Sequence, residues 1–181
     1  MNTTFSIITA LMLGVLPNGN NSVHATSYSV RTSSITFNQD NDVNAIREEY
    51  KRINGLDLKT ETYTYTNEDC VDDGEIIYYI NGNDIVKVIE KGTFKDGSWA
   101  TEYYYKNSKF IFGYESVTGG AAAGPEITTK FRYYVKNDKA IRQMEGDAIV
   151  KADNKFSEAL SKAYILLKVN KTKNFSEVFC N

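Results

Sequence analysis

The sequence predicts an α+β domain: an antiparallel β-meander with an N-terminal helix and a C-terminal helix packed against it. Three observations carry this expectation. Between Gly74 and Glu145 one short pattern occurs three times. Within each copy, polar and apolar residues alternate as they do in a half-covered strand. On either side of the repeats, apolar residues recur at helical spacing instead.

The first copy reads Tyr78-Tyr79-Ile80-Asn81-Gly82-Asn83-Asp84-Ile85-Val86. The second is Tyr103-Tyr104-Tyr105-Lys106-Asn107-Ser108-Lys109-Phe110-Ile111, and the third is Tyr133-Tyr134-Val135-Lys136-Asn137-Asp138-Lys139-Ala140-Ile141. Each copy also has a Glu twelve residues after its first Tyr: Glu90, Glu115 and Glu145. A strand, a polar turn and a second strand make a hairpin. Asn81-Gly82 predicts a type I′ turn, because both residues tolerate positive φ. Asn107-Ser108 and Asn137-Asp138 carry weaker versions of that chemistry and are expected in slightly longer turns.

Strict alternation puts Trp99, Thr101, Tyr103 and Tyr105 on one face, with Phe110, Phe112, Tyr114, Phe131, Tyr133 and Val135. Glu102, Tyr104, Lys106, Arg132 and Tyr134 fall on the other. The sheet is therefore expected to have a covered aromatic face and an open, charged face with scattered tyrosines.

Residues 26–40, rich in Ser and Thr, read as a linker or an edge strand, with Ser33 to Phe37 extended. Asn41 or Asp42 then caps a helix whose stripe is Val43, Ile46, Tyr50 and Ile53, stopped by Gly55. The aromatic face of the meander is its expected partner. Leu56 to Thr66 alternates as a strand. Asp153 or Asn154 caps the second helix, with Phe156, Leu160, Ala163, Tyr164 and Leu167 as its stripe. Residues 41–181 form the expected single domain.

The chain has 181 residues, a net charge of −2 and a pI near 5.5. That balance gives no electrostatic footprint for nucleic acid. The first thirty residues carry no charged side chain, and Phe5 to Leu16 is an apolar run of signal-peptide length, too short to span a bilayer. Val23-His24-Ala25 offers a cleavage site. Residues 1–25 therefore read as a signal peptide, and the protein as exported, periplasmic or secreted, with no membrane span. A buried N-terminal strand is the alternative. In an oxidising compartment Cys70 and Cys180 can pair, which stabilises by roughly 4 kcal/mol in the chain-entropy model; two independent thiols are the other reading.

Few constellations carry chemistry. The only histidine is His24. Its removal with the signal peptide leaves no imidazole for a Ser-His-Asp site or a His-ligated zinc. The acidic stretch Glu68 to Glu75 lacks the alternation of an EF-hand loop and reads as solvated. Gly119 to Gly124 has no Lys-Ser or Lys-Thr and no helix start behind it, so it is no phosphate cradle. No cofactor or metal is expected.

Two functional readings remain. Tyr79, Tyr104 and Tyr134 share one repeat position on the mostly polar face, and with Trp99 they are the candidate binding residues for a protein, peptide or glycan. Such rows of rings also stabilise sheets without any ligand. The alternative is a carboxylate-based hydrolase acting on a glycan or cell-wall substrate through Glu90, Glu102 or Glu115.

The unit Gly74 to Gly82, with Glu102 to Glu115, resembles the meander of small uncharacterised exported bacterial proteins, as does the helix segment Ala45 to Tyr50. The resemblance covers residues 42–145. It implies an envelope location and an antiparallel sheet, and it transfers no active site. The order of helix then meander is also similar to cystatin-like inhibitors, but without their inhibitory loop motif.

Overall fold

The computed structural model describes residues 32–67, 71–120, 124–173 and 175. Helix α1 (Thr32–Asn54) leads into strands β1 (Lys59–Asn67), β2 (Val71–Asn81), β3 (Asp84–Phe94), β4 (Gly97–Lys106), β5 (Lys109–Gly119), β6 (Ile127–Lys136), β7 (Lys139–Glu145) and β8 (Ala148–Val150). Helix α2 (Asn154–Thr172) follows. The strands make one sheet in sequence order, and every neighbouring pair is antiparallel. The expected α+β meander with a helix at each end is the fold.

The helix begins earlier than its sequence signals imply. Ser33 to Phe37 is helical, not an edge strand, and Asn41 and Asp42 are interior to α1 rather than at its cap. Asp42 instead holds Lys136 at 2.7 Å, and Asp40 holds Arg142 at 2.6 Å. These pairs anchor α1 across the sheet. The acidic stretch is shorter than expected, because β2 starts at Val71 and Glu75 pairs with Lys91 across the ladder at 2.5 Å. The signal-peptide segment, His24, Cys70 and Cys180 lie outside the described residues.

All three repeats are hairpins with two-residue turns, and the turn types invert the expectation. Asn107-Ser108 and Asn137-Asp138 have positive φ at both central positions, the type I′ signature. In the first copy the central pair is Gly82-Asn83, closed by Asn81 opposite Asp84. There φ is positive at Gly82 (62°) and not at Asn83, which is the type II′ pattern with Gly leading.

Each hairpin also carries a β-bulge at the same repeat position. Tyr79 opposes Lys87 and Ile80 opposes Ile85, so Val86 is the extra residue. Ile111 is extra between Phe110 and Phe112, and Ile141 between Ala140 and Arg142. A bulge adds one residue and so reverses the side to which the rest of the strand points. Phe110 therefore packs on one face while Phe112 packs on the other.

The bulges give the sheet two apolar faces, so the expectation of one covered face is corrected. Tyr78, Val88, Tyr103, Tyr105, Phe110, Tyr133 and Val135 pack with Phe156, Ala159, Ala163, Leu166 and Val169 of α2. On the opposite face Val86, Tyr104, Phe112 and Tyr134 pack with Val43, Ile46 and Ile53 of α1. Helix α2 is held further by tyrosine hydroxyls. Tyr78 donates to the Leu166 carbonyl at 2.9 Å and Tyr105 to the Ala163 carbonyl at 2.8 Å. Asp153 caps α2 as expected, accepting from the Lys155 amide at 3.1 Å.

Candidate functional site

Side chains on the α1-side face form rows running across the strands. The row nearest the hairpin turns holds Tyr79, Lys87, Tyr104, Phe112, Tyr134 and Arg142 in register. Helix α1 lies on this row. Tyr104 is 0 % exposed and Tyr134 is 4 % exposed. Tyr104 and Tyr134 of the proposed open tyrosine row are thus interior, while Tyr79 is half-buried. The physical reason is that Val86, Ile111 and Ile141, turned inward by the bulges, make this end of the face apolar enough to seat α1.

Beneath α1 a polar network crosses the row. The buried Lys87 ammonium meets Glu102 at 2.7 Å and donates to Asn54 Oδ1 at 3.1 Å. The Tyr104 hydroxyl donates to Glu102 and accepts from Asn54 Nδ2 at 3.1 Å. Lys87 also lies over the rings of Tyr79 and Tyr104, 5.3 and 4.9 Å from their centroids. Burial, reinforced by the Glu102 carboxylate, pushes the Tyr104 hydroxyl far above its ordinary pKa. Each buried charge here has a partner of opposite sign or a hydrogen bond.

The next row is covered only in part, with Tyr114 and Met144 packing against the cluster beneath α1. It runs Ile77, Ile89, Glu102, Tyr114, Arg132, Met144 and Ile149 in register. All seven retain solvent contact, and Ile149 is 67 % exposed. Where this row meets α1 there is a pocket of about 490 Å³, floored by Phe112, Tyr114 and Tyr134 and walled by Tyr50. Arg47 and Arg132 stand at its rim with Glu102. Arg132 donates to the Gly146 carbonyl and, at 3.1 Å, to Asp147. Arg47 lies 5.7 Å over the Tyr134 ring.

Farther from α1 the same face turns polar. Thr64, Glu75, Lys91, Ala100 and Ser116 share one row, and Asp73, Thr93, Ser98 and Thr118 the last. They border a groove of about 930 Å³. Trp99 points to the other side of the sheet, where its ring stacks on Phe94 with centroids 6.0 Å apart. Its edge lies directly on Gly92, and the Tyr65 ring lies likewise on Gly74, places where any Cβ would collide with the ring. Trp99 is therefore separated from the tyrosine row by the thickness of the sheet.

The glutamates divide between the faces. Glu90 and Glu115 both pair with Thr101, so they flank it on the α2 side, two strands apart. Glu102, the next residue along, faces α1. Glu90 is 4 % exposed. Lys162 and the Tyr65 and Tyr103 hydroxyls each lie 3.4 Å from it. Burial raises its pKa against the pull of Lys162 and the tyrosines. Glu115 accepts from Tyr133 at 2.9 Å. None of the described grooves is lined by either Glu90 or Glu115.

The sequence reading missed Arg47, Tyr50, Tyr114 and Arg132 as a group. They come from α1, β5 and β6, and only the cross-strand register joins them. Among the described residues no helix is long and apolar enough to cross a membrane. No family model, curated protein or solved structure matches this chain.

Proposed function

We propose that this is an exported, non-catalytic binding protein of the cell envelope or extracellular space, and that its partner docks on the α1-side face beyond the helix. The observation that carries the reading is the stripe Ile77, Ile89, Tyr114, Met144 and Ile149, interrupted by Glu102 and Arg132, half-buried along most of its length and exposed at Ile149, beside a helix that covers the adjoining row. Apolar side chains with a few charges among them match the make-up of protein contact surfaces. Tyr114 is the one ring in the stripe and the other four apolar members are aliphatic Ile and Met, so a protein or peptide is favoured over a glycan, which grips best on several rings. Tyr104 and Tyr134 support this surface from beneath α1 instead of touching the partner, and Tyr79 is half-buried beside Lys87.

The carboxylate-hydrolase alternative has less support. It needs two carboxyls in one cleft. Glu102 faces away from the other two, and Glu90 is covered by α2 and its tyrosines.

Export is tested by mass spectrometry of the mature chain, which should begin at Thr26. Binding is tested by capture from envelope extract with the wild-type protein and with an Ile89→Ser/Met144→Ser variant, beside an oligosaccharide array. The reading expects one partner captured by the wild type and lost in the variant. Equal capture by both would remove this surface, and glycan binding that survives the substitutions would replace it.

A further inference from the structure

The pocket between α1 and the sheet adds Arg47, Tyr50, Phe112 and Tyr134 to the Tyr114, Glu102 and Arg132 of the docking stripe. Its floor is three rings, Phe112, Tyr114 and Tyr134, and Tyr50 of α1 adds a fourth as its wall. Tyr50 is fixed by Phe112 in an edge contact, with centroids 5.5 Å apart. The volume of about 490 Å³ falls among small-molecule sites, and an aromatic floor with a few polar rim groups is their usual make-up.

The charges at the rim are unequal. Glu102 is the pocket's one carboxylate, and it is already held by Lys87 and the Tyr104 hydroxyl. The cations are Arg47, Lys51 and Arg132. Lys51 pairs with Glu48 and Arg132 with Asp147, two exposed acids that solvent screens. Arg47 is different. Among the described residues its partners are neutral: Asn44 Oδ1 at 3.2 Å and the Tyr134 ring. A guanidinium held over an aromatic floor with no carboxylate of its own matches a carboxylate brought by a ligand.

We propose that this pocket binds a small aromatic carboxylate, its ring on Phe112 and Tyr114 and its carboxylate on Arg47, with Arg132 as a second cation of the lining. The site adjoins the partner stripe and shares Tyr114, Glu102 and Arg132 with it, but Ile89 and Met144 do not line it, and it stands whether or not a protein docks there.

The test is titration of the full chain with phenylacetate, phenylacetamide and phenethylamine, followed by amide chemical shifts in the NMR spectrum. These probes share one ring and differ in charge. Phenylacetate should shift the amides of Arg47, Phe112 and Tyr114 and bind best, with phenethylamine the weakest. Arg47→Gln should weaken phenylacetate by about tenfold, the share expected of one charge-assisted contact, and leave phenylacetamide unchanged. Tyr50→Ala should weaken both. Equal affinity for the three probes, shifts confined to other residues, or no loss in Arg47→Gln would each overturn the assignment. Ile89→Ser/Met144→Ser should bind phenylacetate like the wild type, so failure of the partner stripe and failure of this pocket are read separately.

Discussion

The Tyr133 hydroxyl donates to Glu115 Oε2 at 2.9 Å, and this contact copies the one that Tyr103 makes with Glu90 a hairpin earlier. In both cases the first Tyr of one copy reaches back to the Glu of the copy before it. The repeat is stitched by phenol-to-carboxylate bonds, and at Glu90 Lys162 of α2 adds an ion pair. Glu145, in the last copy, pairs with Ala148 of β8, a strand without a Tyr to supply such a bond, and is exposed.

Removing one stitch should cost a measurable amount. Tyr133→Phe deletes a donor to a carboxylate and should destabilise by about 1 kcal/mol in a urea titration. Combined with Glu115→Gln, the loss should be less than the sum of the two single losses, since they share one bond. Additive losses would show that the pair is not coupled.

Glu90 predicts a pH dependence with a definite sign. Burial raises its folded-state pKa above the unfolded value near 4.5. Its contribution is therefore fully present below about pH 4.5 and is lost as pH rises through the raised folded pKa. Glu90→Gln keeps an acceptor for Tyr65 and Tyr103 without the charge. Relative to wild type, this variant should gain stability between pH 4 and pH 8 in chemical denaturation. A difference that stays constant, or that falls with pH, contradicts the burial argument.

The type I′ turn of the second copy should be improvable. Ser108 has φ 59°, a left-handed conformation that costs a residue with a Cβ about 1 kcal/mol and glycine far less. Ser108→Gly should stabilise by roughly 0.5–1 kcal/mol, read as a higher denaturation midpoint at unchanged m-value. A lower midpoint would mean the turn is not type I′.

Lys87 and Glu102 should behave as a unit. Lys87→Met leaves Glu102 against a largely apolar seam and should cost about 2 kcal/mol, toward the lower end because Glu102 keeps some solvent. Lys87→Met/Glu102→Met should recover at least half of that loss. A double variant as unstable as the single-variant costs summed would show that the ammonium serves α1 through Asn54 and not through the carboxylate.

Much of this fold was legible in the residues, because the repeat states its own topology. The Tyr-Tyr-apolar triplets and Asn-containing turns specify hairpins, and Val43, Ile46 and Ile53 specify the face that α1 buries. What was not legible follows from one kind of feature. The signal for the bulges was present as two successive apolar residues after each turn: Ile85-Val86, Phe110-Ile111 and Ala140-Ile141. Read by strict alternation, such a pair looks like an imperfection. In the structure it sends one residue to each helix, and it moves Phe112 from the α2 side to the α1 side. The error about which face stays open therefore began with single residues. The α1 start was hidden for another reason, since the Ser and Thr of its first turns have no strong helix propensity. The rim of Arg47 and Arg132 had no local pattern at all.

The central claim is that consecutive tyrosines of one strand serve different helices. It is tested most directly by proton–proton contacts in the NMR spectrum of the full chain. The Tyr104 ring should show contacts to Tyr50 of α1, with centroids 4.9 Å apart. The Tyr105 ring, whose hydroxyl meets the Ala163 carbonyl, should show contacts to α2 and none to α1. Both rings contacting the same helix would place α1 and α2 on one side of the sheet and contradict the account.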